Sequence, residues 1–269
     1  MLFRSLQTPK DRYLIDDHII CYAPSLTVLR EMINVRRVRE SHSLAAPTLL
    51  AMGDPELGRQ PGARVIAALT GEGLDPLPEA KRQVLTLARL YGRDRIKIYV
   101  GPNASEEQFK AEAKDYDILH LATHGILNDR SPMYSHLLLT QSSDATEENG
   151  LLEARELMEM ELRANLVVLS ACETARGRVG RGEGMIGLTW ALFVAGAPTT
   201  VVSQWKVRSD STAQLMIEFH RQLKSGPMGS ATENSAAWAL RSAALKLKRD
   251  SRYRHPFDWA GFIVVGAGY

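Results

Sequence analysis

The chain has 269 residues, which is enough for one large domain or two small ones. Its 33 basic and 31 acidic side chains give a formal net charge of +2, which offers no electrostatic argument for binding nucleic acid or an anionic membrane. Two cysteines in a chain of this length do not make a disulfide framework, which favours a reducing, cytoplasmic location. The sequence contains no recognisable secretory signal and no apolar stretch of about 18 residues, so no membrane partner is expected.

Strand-like apolar runs alternate with helix-like patterns, which is typical of a mostly parallel α/β sheet. The predicted strands are Ile19–Tyr22, Leu49–Met52, Ile96–Val100, Ile118–Ala122, Val167–Ser170, Thr200–Ser203 and Phe262–Val265. The predicted helices are Ser25–Glu40, Glu79–Tyr91, Ser105–Lys114, Ala154–Met160, Gly184–Ala195, Ser211–Lys224 and Ala231–Leu247. Ser105, followed three residues later by Gln108, is a helix-capping signal. Residues 53–78, 141–149 and 175–184 are predicted to be loops.

Two of the apolar runs end abruptly in a reactive side chain. The run that begins at His120 ends in His124-Gly125, and the run that begins at Asn165 ends in Cys172-Glu173, 48 residues further along. Groups just past the carboxyl ends of parallel strands lie at the edge where open α/β sheets bind ligands. If the two strands are neighbours, His124 and Cys172 face each other there, which is the minimum apparatus of a cysteine nucleophile with a proton-transfer partner.

These segments resemble the CHAT domain, a branch of the caspase-like cysteine peptidases that also contains separase. Other segments resemble the family in the same order: Tyr22–Leu26, Gly182–Leu188 with Ala195-Gly196-Ala197, Ser203–Val207 with Asp210 and Thr212, and Asp258–Gly266. The resemblance spans about residues 13 to 267. It implies a caspase-like three-layer α/β/α sandwich with a mostly parallel central sheet. Residues 1–269 then form a single domain, in which a smaller N-terminal portion (about 1–115) leads into a catalytic core (about 116–269).

The resemblance also implies a cysteine endopeptidase. Cys172 is then the nucleophile, since the thiolate is the reactive form, and His124 is the general acid/base, since imidazole titrates near neutral pH. Gly125 and the Cys172 N–H together would form the oxyanion hole. No cofactor is expected, because such a dyad needs neither metal nor nucleotide. Taken alone, a cysteine in an apolar run is more often a small apolar filler, and Cys21 is interpreted in that way.

The expected partners are a protein substrate with an exposed, extended loop and a regulatory or sensor module such as helical repeats, with no direct nucleic acid. Some bacterial members of the family cut gasdermin-like proteins in defence, so a gasdermin-like substrate is an expectation at the level of the family. The alternative function is that of a caspase-like interaction domain, either non-catalytic or latent until a partner contacts it.

Four further positions are candidates for substrate binding. Ser203 and Trp205 match the strand that, in the family, pairs with an extended substrate, although a core role fits Trp205 equally well. Glu173 either contacts a basic substrate residue or forms a local salt bridge. Asp210 either caps the helix that follows or borders the substrate pocket.

Two patterns have competing interpretations. His120, His124 and Cys172 are residue types that bind zinc, but on a strand the two histidines would be about 13 Å apart, so no metal site is predicted. His120 is interpreted as a hydrogen-bonded residue within the sheet. The Gly- and Arg-rich loop 176–182 lacks the ending of a phosphate-binding P-loop and is interpreted as a mobile loop that gates the site.

Overall fold

A computed structural model describes residues 6–7, 12–40, 46–57, 75–128, 130–142, 148–170, 172–173, 183–205, 207–225 and 235–268. Within these ranges, residues 40, 172, 173 and 183–186 are described by their backbone. Residues 58–74, 143–147 and 174–182, which make up most of the three predicted loops, lie outside the description.

The strands are β1 (Leu49–Pro55), β2 (Ile96–Gly101), β3 (Ile118–Ala122), β4 (His124–Ile126), β5 (His136–Leu138), β6 (Leu151–Glu153), β7 (Leu166–Leu169), β8 (Cys172–Glu173), β9 (Thr199–Ser203) and β10 (Phe262–Gly266). The α-helices are α1 (Leu14–Asp17), α2 (Leu26–Glu40), α3 (Pro78–Tyr91), α4 (Glu106–Glu112), α5 (Ala154–Glu159), α6 (Glu183–Val194), α7 (Ser209–Ser225), α8 (Ala236–Arg249) and α9 (Pro256–Trp259). Short 3₁₀ turns occupy Arg93–Arg95, Ala113–Asp115, Pro132–Tyr134 and Ser251–Tyr253.

The strands form a large central sheet and a small second sheet. The central sheet has six strands in the order β10-β9-β7-β3-β1-β2, and its pairs are parallel except for β10 with β9. The second sheet has four short strands in the order β6-β5-β4-β8. The predicted mostly parallel sheet is therefore confirmed. β3, β7 and β9 are buried at every position, as expected for strands covered on both faces.

Successive residues of the central strands pack alternately into two hydrophobic cores, one on each face of the sheet. In β1, Leu49 and Ala51 belong to one core, and Leu50 and Met52 to the other. This alternation follows from the two-residue period of a strand. The first core also contains residues of α3, α7 and α8, such as Leu87, Phe219 and Leu240. The second contains residues of α4, α5 and α6, such as Phe109, Leu157 and Leu192. Helices on both faces confirm the three-layer α/β/α sandwich.

The predicted first strand is wrong. Instead of a strand, Ile19–Tyr22 contributes an isolated β-bridge, from Tyr22 to Val265 at the outer edge of β10. Its N–H donates to the Val264 carbonyl at 2.8 Å, and its carbonyl accepts from Gly266 N at 2.8 Å. The pairing stops there because Pro24, two residues on, has no N–H to continue it. The segment Tyr22–Leu26, which resembles the family's entry strand, therefore contributes one bridge rather than a strand, and α2 begins at its last residue.

The predicted helices are present, with ends that differ by a few residues. Ser105 caps α4 as predicted, since its Oγ accepts from Gln108 N at 3.2 Å. The last long helix begins at Ala236 rather than Ala231, with Ser235 as its N-cap. Among the described helices, none combines the length and the apolarity needed to cross a bilayer.

Candidate active site

The backbones of His124 and Cys172 lie side by side because one register runs through both sheets. In the central sheet, Ile118 of β3 pairs with Leu166 of β7. In the second sheet, His124 of β4 pairs with Cys172 of β8, again parallel and again 48 residues apart. Ser170 N, which donates to the Leu121 carbonyl at 2.8 Å, carries the pairing across the junction. Because neighbouring strands are about 5 Å apart, the two backbones approach as the sequence predicts for adjacent strands.

Thr123 separates β3 from β4 and anchors the point where the chain passes from one sheet to the other. Its side chain is buried, and its hydroxyl donates to the carbonyl of Leu138, at the end of β5. This bond ties the amino end of β4 to β5, so the His124 backbone is held from both sides, by β5 and by β8.

The imidazole of His124 is 8% exposed, and its Nε2 atom lies 2.9 Å from the backbone carbonyl of Asp75. A carbonyl can only accept a hydrogen bond, so Nε2 must carry the proton. In the neutral ring, Nδ1 is then the basic atom. The contact therefore fixes both the orientation of the ring and the atom through which it can take up a proton. Sequence reasoning missed Asp75 because a backbone carbonyl leaves no side-chain signal.

Gly125 and Glu173 are the next pair along the two strands. Gly125 pairs with Glu173 of β8 on one side and with Leu137 of β5 on the other. The side chains of Cys172 and Glu173 lie outside the described part of the structure, as does the loop 176–182. The backbone pairing thus places four positions selected from the sequence next to one another: His124, Gly125, Cys172 and Glu173.

Ser203 and Trp205 lie at the end of β9, which neighbours β7. Ser203 is buried and pairs with Phe262 of β10. The half-buried indole of Trp205 donates from Nε1 to the Phe257 carbonyl at 3.3 Å, and the two aromatic rings are 6.2 Å apart. A Cβ at Gly261 would lie 3.3 Å from the indole, so a glycine there allows the ring to pack closely. Trp205 therefore packs against the turn before β10.

Asp210 is not the N-cap of its helix, contrary to one of the two interpretations of this residue. The helix α7 begins at Ser209, which places Asp210 inside its first turn. The carboxylate accepts from Arg208 Nε at 3.1 Å and Arg208 Nη2 at 2.9 Å, and from the Tyr253 hydroxyl at 3.5 Å. Its negative charge already has a local partner.

His120 is buried inside the sandwich rather than placed at the candidate site. Its Nε2 accepts from Gln83 Nε2 at 2.6 Å, and its Nδ1 lies 3.1 Å from Nε2 of His220. Burial lowers the pKa of His120 to about 3, so the ring is neutral at physiological pH. Both ring nitrogens have partners, which confirms the interpretation of His120 as a hydrogen-bonded residue within the sheet.

The described residues contain one group of carboxylates close enough to share a cation, formed by Glu106, Glu148 and Glu156. The ammonium of Lys110 ion-pairs with all three of them, at 2.8 Å from Glu106 and 3.0 Å from Glu156. The ammonium of Lys110 thus occupies the position that a bound cation would take between these carboxylates. The group lies on α4, α5 and the segment before β6, away from the pair formed by β4 and β8.

Comparison with known proteins identifies the family. The model of the CHAT domain family matches residues 2–267. Tetratricopeptide repeat protein 28 of Mus musculus is 24% identical over 289 residues, covering 96% of this chain and 11% of that protein. The Homo sapiens protein of the same name is 24% identical over 294 residues, with the same coverage. The chain thus spans about a tenth of the length of these relatives.

The fold has a counterpart among solved structures. A chain of the Saccharomyces cerevisiae separase–securin complex superposes with a TM-score of 0.53 at 12% identity, covering 93% of this chain and 14% of that one. At this identity the likeness concerns the fold alone, which is caspase-like. Together with the family match over nearly the whole length, it confirms the resemblance read from the sequence: the chain belongs to the CHAT domain family.

Proposed function

We propose that this chain is a cysteine endopeptidase that uses Cys172 as nucleophile and His124 as general acid/base. The observation that supports the proposal is the pairing of His124 with Cys172 on adjacent parallel strands. At the usual spacing between strands, an imidazole and a thiol are within reach of each other. The hydrogen bond from His124 Nε2 to the Asp75 carbonyl adds the orienting group that such a base requires.

The proposed reaction has two halves. His124 Nδ1 takes the thiol proton of Cys172, and the thiolate adds to the carbonyl carbon of the scissile peptide bond. The oxyanion that forms would be stabilised by the N–H groups of Gly125 and Cys172. His124 then returns the proton to the leaving amine, and the acyl group stays on sulfur. In the second half a water molecule, deprotonated by His124, releases the acid and regenerates the thiol.

The proposed substrate is an extended protein segment that lies along the end of β9. Ser203 and Trp205 mark this end, next to β7, and a segment added there would lie beside Cys172. Glu173 and Asp210 are candidate contacts for a basic side chain. Asp210 would first have to exchange its partner Arg208. A gasdermin-like substrate stays a prediction.

We further propose that the site is controlled by a regulatory module. The relatives are named for tetratricopeptide repeats and are about nine times as long as this chain, and one solved structure of similar fold is a complex of separase with securin. A latent form of the domain would carry the dyad but stay silent until such a partner binds. Recovery of activity on adding a partner would distinguish a latent domain from a purely non-catalytic one, in which no partner would restore activity.

The proposal is tested by covalent labelling with a library of peptide acyloxymethyl ketones, read by intact mass and site mapping. We expect one adduct on Cys172 in the unmodified chain, none after Cys172→Ala, and slower labelling after His124→Ala. Cys21→Ser is the matched control, since it removes the other cysteine and should leave labelling unchanged. An absence of any Cys172 adduct, both alone and with a repeat-containing partner added, would contradict the enzymatic function.

A further inference from the structure

Asp54 has an unusual backbone conformation near the candidate site. Its φ is +50°, in the left-handed region, which is rare for residues with a side chain and in which aspartate and asparagine are over-represented. The register between β1 and β2 shifts between Gly53 and Pro55, so Asp54 occupies a bulge at the carboxyl end of β1. Bulges next to active sites commonly redirect a side chain.

The redirected carboxylate holds the segment that precedes α3. Asp54 Oδ1 accepts from the backbone N–H of Leu77, the residue before α3, at 2.6 Å. Gly53 allows α3 to come this close, because a Cβ there would lie 2.7 Å from Val84 Cγ2 and 3.1 Å from the Ala80 carbonyl. The start of α3 is thus fixed against the end of β1.

The same segment carries the carbonyl that orients the histidine. Asp75, two residues before Leu77, accepts from His124 Nε2 at 2.9 Å. We propose that Asp54 is a positioning residue for His124, which acts by fixing Leu77 and thereby the Asp75 carbonyl. This inference rests on the proposed function for its catalytic meaning, but the contacts that carry it are independent of Cys172.

The proposal separates the two properties of Asp54, its acceptor oxygen and its left-handed backbone. Asp54→Asn keeps an acceptor oxygen and tolerates positive φ, so His124 should behave as in the unmodified chain. Asp54→Gly tolerates the backbone conformation but removes the acceptor. We expect this variant to lose the Nε2-protonated tautomer of His124 as the dominant form and to be labelled about 100-fold more slowly at Cys172, the lower end of what a positioned general base contributes.

The test is carried out on the full chain by two independent readouts. Ring ¹⁵N shifts of His124, assigned by comparison with His124→Gln, report the tautomer without any need for activity. The rate of Cys172 labelling reports the consequence for catalysis. Asp94→Gly, at an exposed position, is the matched control for replacing an aspartate by glycine and should change neither.

The outcomes distinguish this proposal from the function on which it rests. A changed tautomer in Asp54→Gly and an unchanged one in Asp54→Asn supports positioning, even if no variant is labelled at Cys172. An unchanged tautomer and labelling rate in Asp54→Gly would overturn it while leaving the peptidase intact. An equal loss in Asp54→Asn and Asp54→Gly would also overturn it, because the acceptor would then not be the cause.

Discussion

The orientation of the candidate base His124 depends on groups that have no catalytic chemistry of their own. His124 is oriented by a backbone carbonyl, and the carbonyl is placed by a segment that leads into α3. The helix α3 in turn packs against Gly53 of β1, where a Cβ would lie only 2.7 Å from Val84 Cγ2. The close packing at Gly53 therefore helps to position the segment whose carbonyl contacts His124.

Gly53→Ala should destabilise the fold by about 1–3 kcal/mol, the usual cost of overpacking a dense core. The added methyl group would meet Val84 Cγ2 at 2.7 Å and the Ala80 carbonyl at 3.1 Å, and backbone atoms cannot turn away as a flexible side chain can. Urea unfolding of the full chain measures the loss. Gly101→Ala is the control, since Gly101 has a positive φ but open space around it, so only the backbone strain of about 1–2 kcal/mol applies. A loss well below about 1 kcal/mol in Gly53→Ala would contradict the steric explanation.

Among single residues, the sequence selects His124 and Cys172 as candidates because each ends an apolar run in a reactive side chain, and the structure pairs their backbones. Asp75 could not, because any residue type would supply the same carbonyl. Asp54 was also missed, since an aspartate before a proline is a common turn signal. Its importance depends on Leu77, which is 23 positions away in sequence.

At the scale of elements, a buried chain of hydrogen bonds joins α3, β3 and α7. Gln83 Nε2 donates to His120 Nε2, which leaves the proton of His120 on Nδ1, where it is donated to His220 Nε2 at 3.1 Å. His220 then carries its proton on Nδ1 and donates it to the Tyr91 hydroxyl oxygen at 2.9 Å. Each histidine must stay neutral and in one tautomer for the chain to be complete. The elements behind the site are therefore held in a defined arrangement.

Tyr91→Phe should cost about 1–3 kcal/mol of stability, because it leaves the His220 Nδ1–H buried without an acceptor. Chemical denaturation at neutral pH measures the loss. Tyr116→Phe is the matched control: its half-buried hydroxyl lies 3.5 Å from Glu112, and its removal should cost less than about 1 kcal/mol. Equal losses in the two variants would show that the buried chain contributes nothing beyond an ordinary surface hydrogen bond.

The long elements were predictable and the short ones were not. Strands such as β3, β7 and β9 are continuous apolar runs, and the long helices have clear periodicity. β4, β5, β6 and β8 have two or three residues each, too few to show any period. They form through pairing with one another, so their existence depends on the tertiary structure. Ile19–Tyr22 is the opposite case. Its apolar run predicts a strand, but in the structure it contributes an isolated bridge at the edge of β10.

At the scale of the whole molecule, buried histidines and a buried glutamate contribute to the acid response in opposite directions. Burial lowers the pKa of His120 to about 3, and burial together with His120 lowers that of His220. Burial raises the pKa of Glu106 to about 7, although Lys110 acts in the opposite direction. Below pH 6.5 the unfolded chain takes up protons at both histidines and the folded protein does not, so these histidines reduce stability as the pH falls. Between pH 7 and 4.5 the folded protein takes up a proton at Glu106 and the unfolded chain does not, so Glu106 increases stability as the pH falls.

Glu106→Gln should therefore make the loss of stability between pH 6.5 and 4.5 steeper. Each proton that is bound by only one of the two states, folded or unfolded, changes the free energy of unfolding by about 1.4 kcal/mol per pH unit. In the variant, proton uptake at the two histidines of the unfolded chain is no longer opposed by uptake at Glu106 of the folded protein, so the slope should rise by up to about 1.4 kcal/mol per pH unit. Urea unfolding at a series of pH values measures the slopes. Glu107→Gln, on the same helix but exposed, should leave the slope unchanged. Parallel curves for Glu106→Gln and the unmodified chain would contradict the prediction.

The sequence by itself determined the fold class, the order of the main elements and the identity of the histidine and cysteine, because these depend on local periodicity and residue type. The tertiary structure alone decided how they meet. One register of 48 residues through two sheets pairs His124 with Cys172. The segment before α3 brings the Asp75 carbonyl to His124, and the end of β1 brings Asp54 to Leu77 in that segment. The reason is that a backbone group offers the same hydrogen bond in nearly every residue type, so the sequence does not show which distant backbone groups will be used until packing has brought them to their partners.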